Sequence, residues 1–162
     1  MANAVLTEML CGNAEFIRLR ESLEHGEGPM SVFGLGEAHR IQTAASLYVK
    51  LNKTVLLVEA SSLAAVKARE ELLHYVPEAL LFPARELPLS VRRYTESPSV
   101  TAQRLSCITA LDSGEPCFIV TSIEALMQRM APPEKIASAT RTVRPGMRTE
   151  PEALLKRFID AG

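Results

Sequence analysis

Apolar residues along the first 25 positions recur at helical spacing, Leu6 and Met9 first and then Phe16, Leu19 and Leu23, with Gly12-Asn13 marking a break between two helical pieces. The run from His25 to Pro29 ends that segment. From Met30 onward short apolar runs alternate with amphipathic stretches, which is the pattern of βα units on a mainly parallel sheet. It predicts strands over 31–33, 54–58, 79–82 and 117–121, and helices over 40–51, 63–75, 99–111 and 123–130. In the third of these helices Val100, Leu105, Ile108 and Leu111 are expected to share one face, with Ser97 as N-cap and Pro98 at the first helical position. Pro132-Pro133 stops the fourth.

Beyond about residue 139 the character changes. Residues 140–143 read as a strand, Pro145-Gly146 as a turn, and Thr149-Glu-Pro-Glu152 as a capping box opening an amphipathic helix with Leu154, Leu155, Phe158 and Ile159 on its apolar face. A strand and a helix cannot bury that face between themselves. The organisation expected is therefore an N-terminal helical segment over 1–28, an α/β domain over 29–139, and the opening of a second domain over 140–162. An uncovered apolar face of this size is expected either to fold back on the first domain or to pair with the same segment of a second molecule, and the homodimer is the favoured outcome.

Composition then limits the partners. Of 162 residues 47% are hydrophobic, enough for one full core, while 18 Lys and Arg against 19 Asp and Glu leave a net charge of −1. Such a balance gives no chain-wide electrostatic footprint for nucleic acid, so any DNA contact must be local. Arg92 and Arg93 beside Tyr94 are the candidates, although two arginines supply little of the charge such binding needs and a solvated loop is the plainer reading. Cys11, Cys107 and Cys117 lack the spacing of a zinc or redox motif and read as reduced thiols. His25, His39 and His74 have no ligand spacing, so no metal is expected. No apolar run is long enough for a membrane span and the first residues lack the basic start of a secretion signal, which points to the cytoplasm.

The segment from Val32 to Ile41, reading VFGLGEAHRI, sits where a predicted strand gives way to a helix, the position at which nucleotide-binding folds carry their phosphate loop. A working loop reads GxxxxGK and then Ser or Thr, because glycines let backbone N–H groups wrap phosphate, lysine neutralises it and the hydroxyl holds magnesium. Aligning Gly34 with the first glycine puts His39 at the second, Arg40 at the lysine and Ile41 at the hydroxyl. His39 brings a side chain where backbone must approach, and Ile41 offers a metal nothing. Glu37, at the helix N-terminus, takes the electrostatic place of the phosphate itself. Gly36 stays as a second small residue in the loop. No apolar strand ends in the acidic pair that would hold magnesium; Val55-Leu-Leu-Val-Glu59 comes nearest, with Glu59 expected to end its strand facing solvent. On pattern alone the segment also reads as a plain strand-to-helix turn of a Rossmann-like fold.

Several stretches in order, GLGEAHRIQTAASLYVKLNKTVLLVEAS, FPARELPLS, SPSVTAQRL, VTSIEALMQRMAPP and VRPGMRTEPEALLKRFIDAG, resemble the start of the transcription-repair coupling factors, the Mfd family. The likeness runs from about Pro29 to Gly162, and its motifs are specific in their order and spacing rather than singly. The same region is similar to the first domain of UvrB, whose phosphate loop is intact and which carries a tyrosine-rich hairpin; the stretch 83–97 here has only Tyr94. The resemblance implies a P-loop NTPase-like α/β fold, RecA-like as in that first domain, without ATPase activity and without a cofactor. ATP and magnesium belong to the family's translocase motor, far downstream. It implies UvrA as a partner, chiefly through the second domain, a part in holding the parent translocase inhibited, and RNA polymerase and DNA as partners of other domains. Two further readings stand beside it: a nucleotide-dependent ATPase fragment of the UvrB or helicase type in which Arg40 replaces lysine, and a Rossmann-like domain binding a small ligand through Gly34 and Gly36.

Overall fold

The computed structural model describes residues 4–85 and 97–130 and, beyond these, 132, 134–136, 144–148, 150–152, 155–156 and 159. The chain forms two compact units, 1–128 and 129–162. In the first, α1 (Ala4–Glu8), α2 (Ala14–Glu24) and α3 (Glu37–Leu51) precede β1 (Val55–Glu59), α4 (Ser62–Leu72), β2 (Leu80–Phe82), α5 (Pro98–Asp112), β3 (Phe118–Ser122) and α6 (Ile123–Leu126).

Local chemistry sets the boundaries. The break expected at Gly12-Asn13 is made by Asn13, whose side chain accepts from the N–H groups of Glu15 and Phe16 and starts α2. Asn52 ends α3 in the left-handed conformation, φ 49° and ψ 43°, which asparagine tolerates. Ser61 and Ser122 cap α4 and α6 through Ala64 N–H and Ala125 N–H. Ser97 does precede Pro98 at the start of α5, but its hydroxyl bonds Ser99 Oγ at 2.9 Å rather than a helix N–H.

The strands form a parallel sheet in the order β1-β3-β2. Val55 to Glu59 pair with Phe118 to Ser122, and Leu80 to Phe82 pair with Ile119 to Thr121. The central strand β3 is buried throughout, as a strand covered on both faces must be. Phe118 and Val120 point to a core built with Ile41 and Ala45 of α3 and Ala65, Ala68 and Leu72 of α4; alanines on α4 let that helix lie close. Tyr48 extends this core, meeting Phe118 edge to face at 5.5 Å and donating its hydroxyl to the Pro116 carbonyl at 3.1 Å. Ile119 points the other way, into a smaller cluster with Phe82, Cys107 and Ala125.

Three expectations need correction. Residues 31–33 are not a strand; Met30, Val32, Phe33 and Leu35 instead line a cavity of about 510 Å³ against Phe16 and Leu19 of α2. Pro29 on one side and Gly34, at φ +81°, on the other leave too short a run between two breakers for a ladder. The buried face of α5 is also rotated: Arg104 and Cys107 are buried while Leu105 and Leu111 are 45% and 53% exposed. The i, i+4, i+7, i+8 series Val100, Arg104, Cys107, Ile108 is the inward one, masked by an arginine in an apolar position. Finally, α6 closes at Leu126 rather than at Met130.

In the second unit the predicted turn is present, with Gly146 at φ +86° and the Met147 N–H donating to the Arg144 carbonyl. Leu155 and Ile159 are exposed. The strand read over 140–143, Thr149 of the capping box, Leu154 and Phe158 lie outside the described residues. Among the described residues no helix is long and apolar enough to cross a membrane.

Candidate functional site

The loop ahead of α3 and the carboxyl ends of β1 and β3 meet at one end of the sheet, the end at which open α/β folds bind ligands. Gly34 takes a positive φ that other residues avoid, and Gly36 is the N-cap of α3 with no side chain to offer. Residues 31–40 are all exposed. Glu37 opens the helix, so a carboxylate stands at the positive end of its dipole. His39 is exposed as well; its carbonyl accepts from Thr43 Oγ1 at 2.7 Å within the helix.

Arg40 and Ile41 carry the geometry that decides what this loop can do. The Arg40 guanidinium turns to the end of β1, where its Nη2 lies 3.0 Å from Glu59 Oε1 and 3.3 Å from Oε2. Only the Oε2 contact has hydrogen-bond geometry; Oε1 is buried and held by charge alone. Glu59 is 5% exposed, so the expectation that it faces solvent is wrong. It shares the face of Val55 and Leu57, turned toward α3, and burial there requires the opposite charge that Arg40 supplies. Ile41, at the place of the metal-binding hydroxyl, is 1% exposed and packs in the main core. Its side chain points into the protein and not toward the loop.

Beside this pair, Ser122 stands in register with Glu59. Ser62 Oγ lies 3.3 Å from Ser122 Oγ and donates to Glu124 Oε2 at 2.7 Å, tying the start of α4 to α6. At the loop and strand ends three side chains differ from those of a working phosphate loop. Arg40 is engaged by Glu59, Ile41 is in the core, and Glu37 places a carboxylate at the helix terminus. Among the described residues no group of three or more His, Cys, Asp or Glu side chains is placed to hold a metal.

Arg92 and Arg93 lie outside the described residues. The connection that leads toward them is anchored by a group that sequence reasoning missed. Arg104 is 3% exposed, lies 4.1 Å over the Phe82 ring, and donates to the Pro83 carbonyl at 2.7 Å and to Gln128 Oε1 at 3.3 Å. Gln128 in turn exchanges two hydrogen bonds with the Arg85 backbone. The signal was available: Arg104 occupies an inward position in a series otherwise apolar. Cys107, one turn further, donates to the Leu81 carbonyl at 3.3 Å, and burial first, then the Cys117 sulfur, push its thiol up to about 11 against the opposing effect of Arg104. Such a thiol is inert at neutral pH.

No family model matches the chain. Curated relatives do, among them three that are each named transcription-repair-coupling factor. That of Bacillus subtilis is 27% identical over 150 residues, 91% of this chain. Those of Staphylococcus aureus and Staphylococcus epidermidis are 22% identical over 98% of the chain and 24% identical over 85% of it. The chain spans 12 to 13% of the length of these relatives. Over nearly its whole length, the chain is similar to the transcription-repair-coupling factors.

Proposed function

We propose that this chain is a non-catalytic, UvrB-like interaction module of a transcription-repair coupling factor, acting in transcription-coupled nucleotide excision repair. The observation that carries the non-catalytic part is the Arg40–Glu59 pair: the side chain at the lysine position of the loop is committed to a buried carboxylate of the same domain. The fold behind it is read as a degenerate member of the P-loop class, RecA-like, with a helix packed on the sheet directly after the loop. The module needs no cofactor of its own, ATP and magnesium serving the motor elsewhere in the longer protein. Its work is recruitment of UvrA, assigned to the region beginning near residue 140, and restraint of the parent translocase. RNA polymerase and DNA are met by other domains. The relatives' name supports the pathway, and the closed loop supports the silence of this part of it.

Immobilised chain presented with purified UvrA tests the recruitment. Retention of UvrA without added nucleotide, and no phosphate release by the chain itself, is the expected result. UvrA in the flow-through, or ATP turnover by the chain, counts against the reading.

A further inference from the structure

Two stretches of main chain come together beyond the carboxyl end of the sheet: Pro83 to Arg85, which follow β2, and Met127-Gln128, which follow α6. Gln128 is also the last residue of the first unit. Its side-chain amide accepts from the Arg85 N–H at 2.7 Å and donates to the Arg85 carbonyl at 2.8 Å. A residue of a neighbouring antiparallel strand makes the same exchange, so one side chain takes the place of a peptide group and holds Arg85 by both of its main-chain groups. Gln128 Oε1 accepts a second bond, at 3.3 Å, from Nη1 of Arg104, which also donates to the Pro83 carbonyl at 2.7 Å. Arg104 is fixed in turn by burial and by the Phe82 ring beneath it. Donation by a cation to an amide oxygen makes the amide's own N–H the better donor, so Arg104 strengthens the bond from Gln128 Nε2 to Arg85.

We propose that Gln128 is a latch, a conformational device that makes the release of these two stretches a single event. With Gln128 seated, Arg85 is held and the end of α6 is kept closed, the Met127 N–H donating to the Ile123 carbonyl and the Gln128 N–H to that of Ala125. With Gln128 unseated, Arg104 keeps the Pro83 carbonyl and the Phe82 ring, so the buried part of the network persists while Arg85 and the last turn of α6 are both freed. The two arrangements differ by a few hydrogen bonds near the surface, which places the latch among the local openings of a folded chain and below its global unfolding. Coupling of this kind is reciprocal. A pull on the chain beyond Gln128 is felt at Arg85, and whatever holds the main chain at Arg85 also holds the exit at Gln128. Every contact lies within the first unit, so the device needs no other part of a longer protein and stands apart from the assignment of UvrA as partner.

Amide hydrogen exchange of the intact chain, read residue by residue by NMR, tests the latch from both sides. Gln128→Ala should speed exchange of the Arg85 N–H by about fivefold to tenfold, the loss of one well-made bond. Arg85→Pro removes the N–H that Gln128 accepts and should speed exchange of the Met127 and Gln128 N–H groups by a similar factor. Gln128→Asn keeps the amide but is one methylene too short to reach, and it decides the matter if the proline variant fails to fold. It should speed Arg85 and Met127 together, although asparagine suits a helix end by itself. An Arg85 N–H that exchanges at the parent rate in Gln128→Ala overturns the proposal. So does faster exchange confined to the stretch that carries the substitution, the result for a residue that only ends α6.

Discussion

Arg40 Nη2 lies 3.0 Å from Glu59 Oε1, joining the first turn of α3 to the carboxyl end of β1 across 19 positions of sequence. One partner is nearly half exposed and the other almost fully buried, so the two members of the pair are not energetically equivalent. Removing the cation strands a carboxylate in the core; removing the carboxylate releases a cation that water already reaches.

Arg40→Ala should therefore destabilise the chain by about 1–3 kcal/mol, less than for a fully buried pair because solvent screens the guanidinium. Glu59→Gln should cost less, and the double variant should be more stable than Arg40→Ala alone. Urea unfolding of all four proteins checks this, with the coupling read from the cycle. Equal losses for the two single variants, with full additivity, would mean that the pair carries no such asymmetry.

Arg104→Lys is expected to cost about 2 kcal/mol despite keeping the charge. Lysine has no planar group to lie over Phe82 and cannot reach the Pro83 carbonyl and Gln128 with the same fork. Thermal unfolding should show a lower midpoint for Arg104→Lys than for Gln128→Ala, which leaves the ring contact and the Pro83 bond in place. The reverse order would place the anchor in Gln128.

Cys107 has its thiol raised from the ordinary 9.0 to about 11, so the folded chain keeps a proton that the unfolded chain loses first. Between about 9 and about 11 the folded state binds more protons, and its stability must fall as pH rises. At pH 8 a thiol reagent should label Cys11 and Cys117, which are partly exposed, well before Cys107. Labelling of all three at one rate in the folded chain would contradict the burial of this thiol.

How much of this was legible in the sequence depends on which contacts set each feature. The strands at 55–59, 80–82 and 118–122 were readable because buried strands leave apolar runs between turn residues, and the helices after them because caps such as Asn13 and Ser61 are local. Strand order was not, since the crossover from β1 past β3 to β2 is a property of packing. Residues 31–33 have strand composition, but they pack against α2 and take no place in the sheet. At the site, the departures of Glu37, His39 and Ile41 from a phosphate-loop pattern were readable through residue type alone. The Arg40–Glu59 pair was hidden because a glutamate at a strand end reads as solvated until α3 is laid across it. Arg104 left a signal, a charge in an otherwise apolar series, but its partners, a backbone carbonyl and a glutamine distant in sequence, were not readable.

Calorimetric titration of the chain with ATP and magnesium tests the central claim most directly, that Arg40 is held by Glu59 and the loop is closed to phosphate. No saturable heat up to millimolar nucleotide is predicted, with or without magnesium (~1 mM marks a binding free energy of about −4 kcal/mol). A saturable isotherm for ATP, with one site per chain, would contradict it.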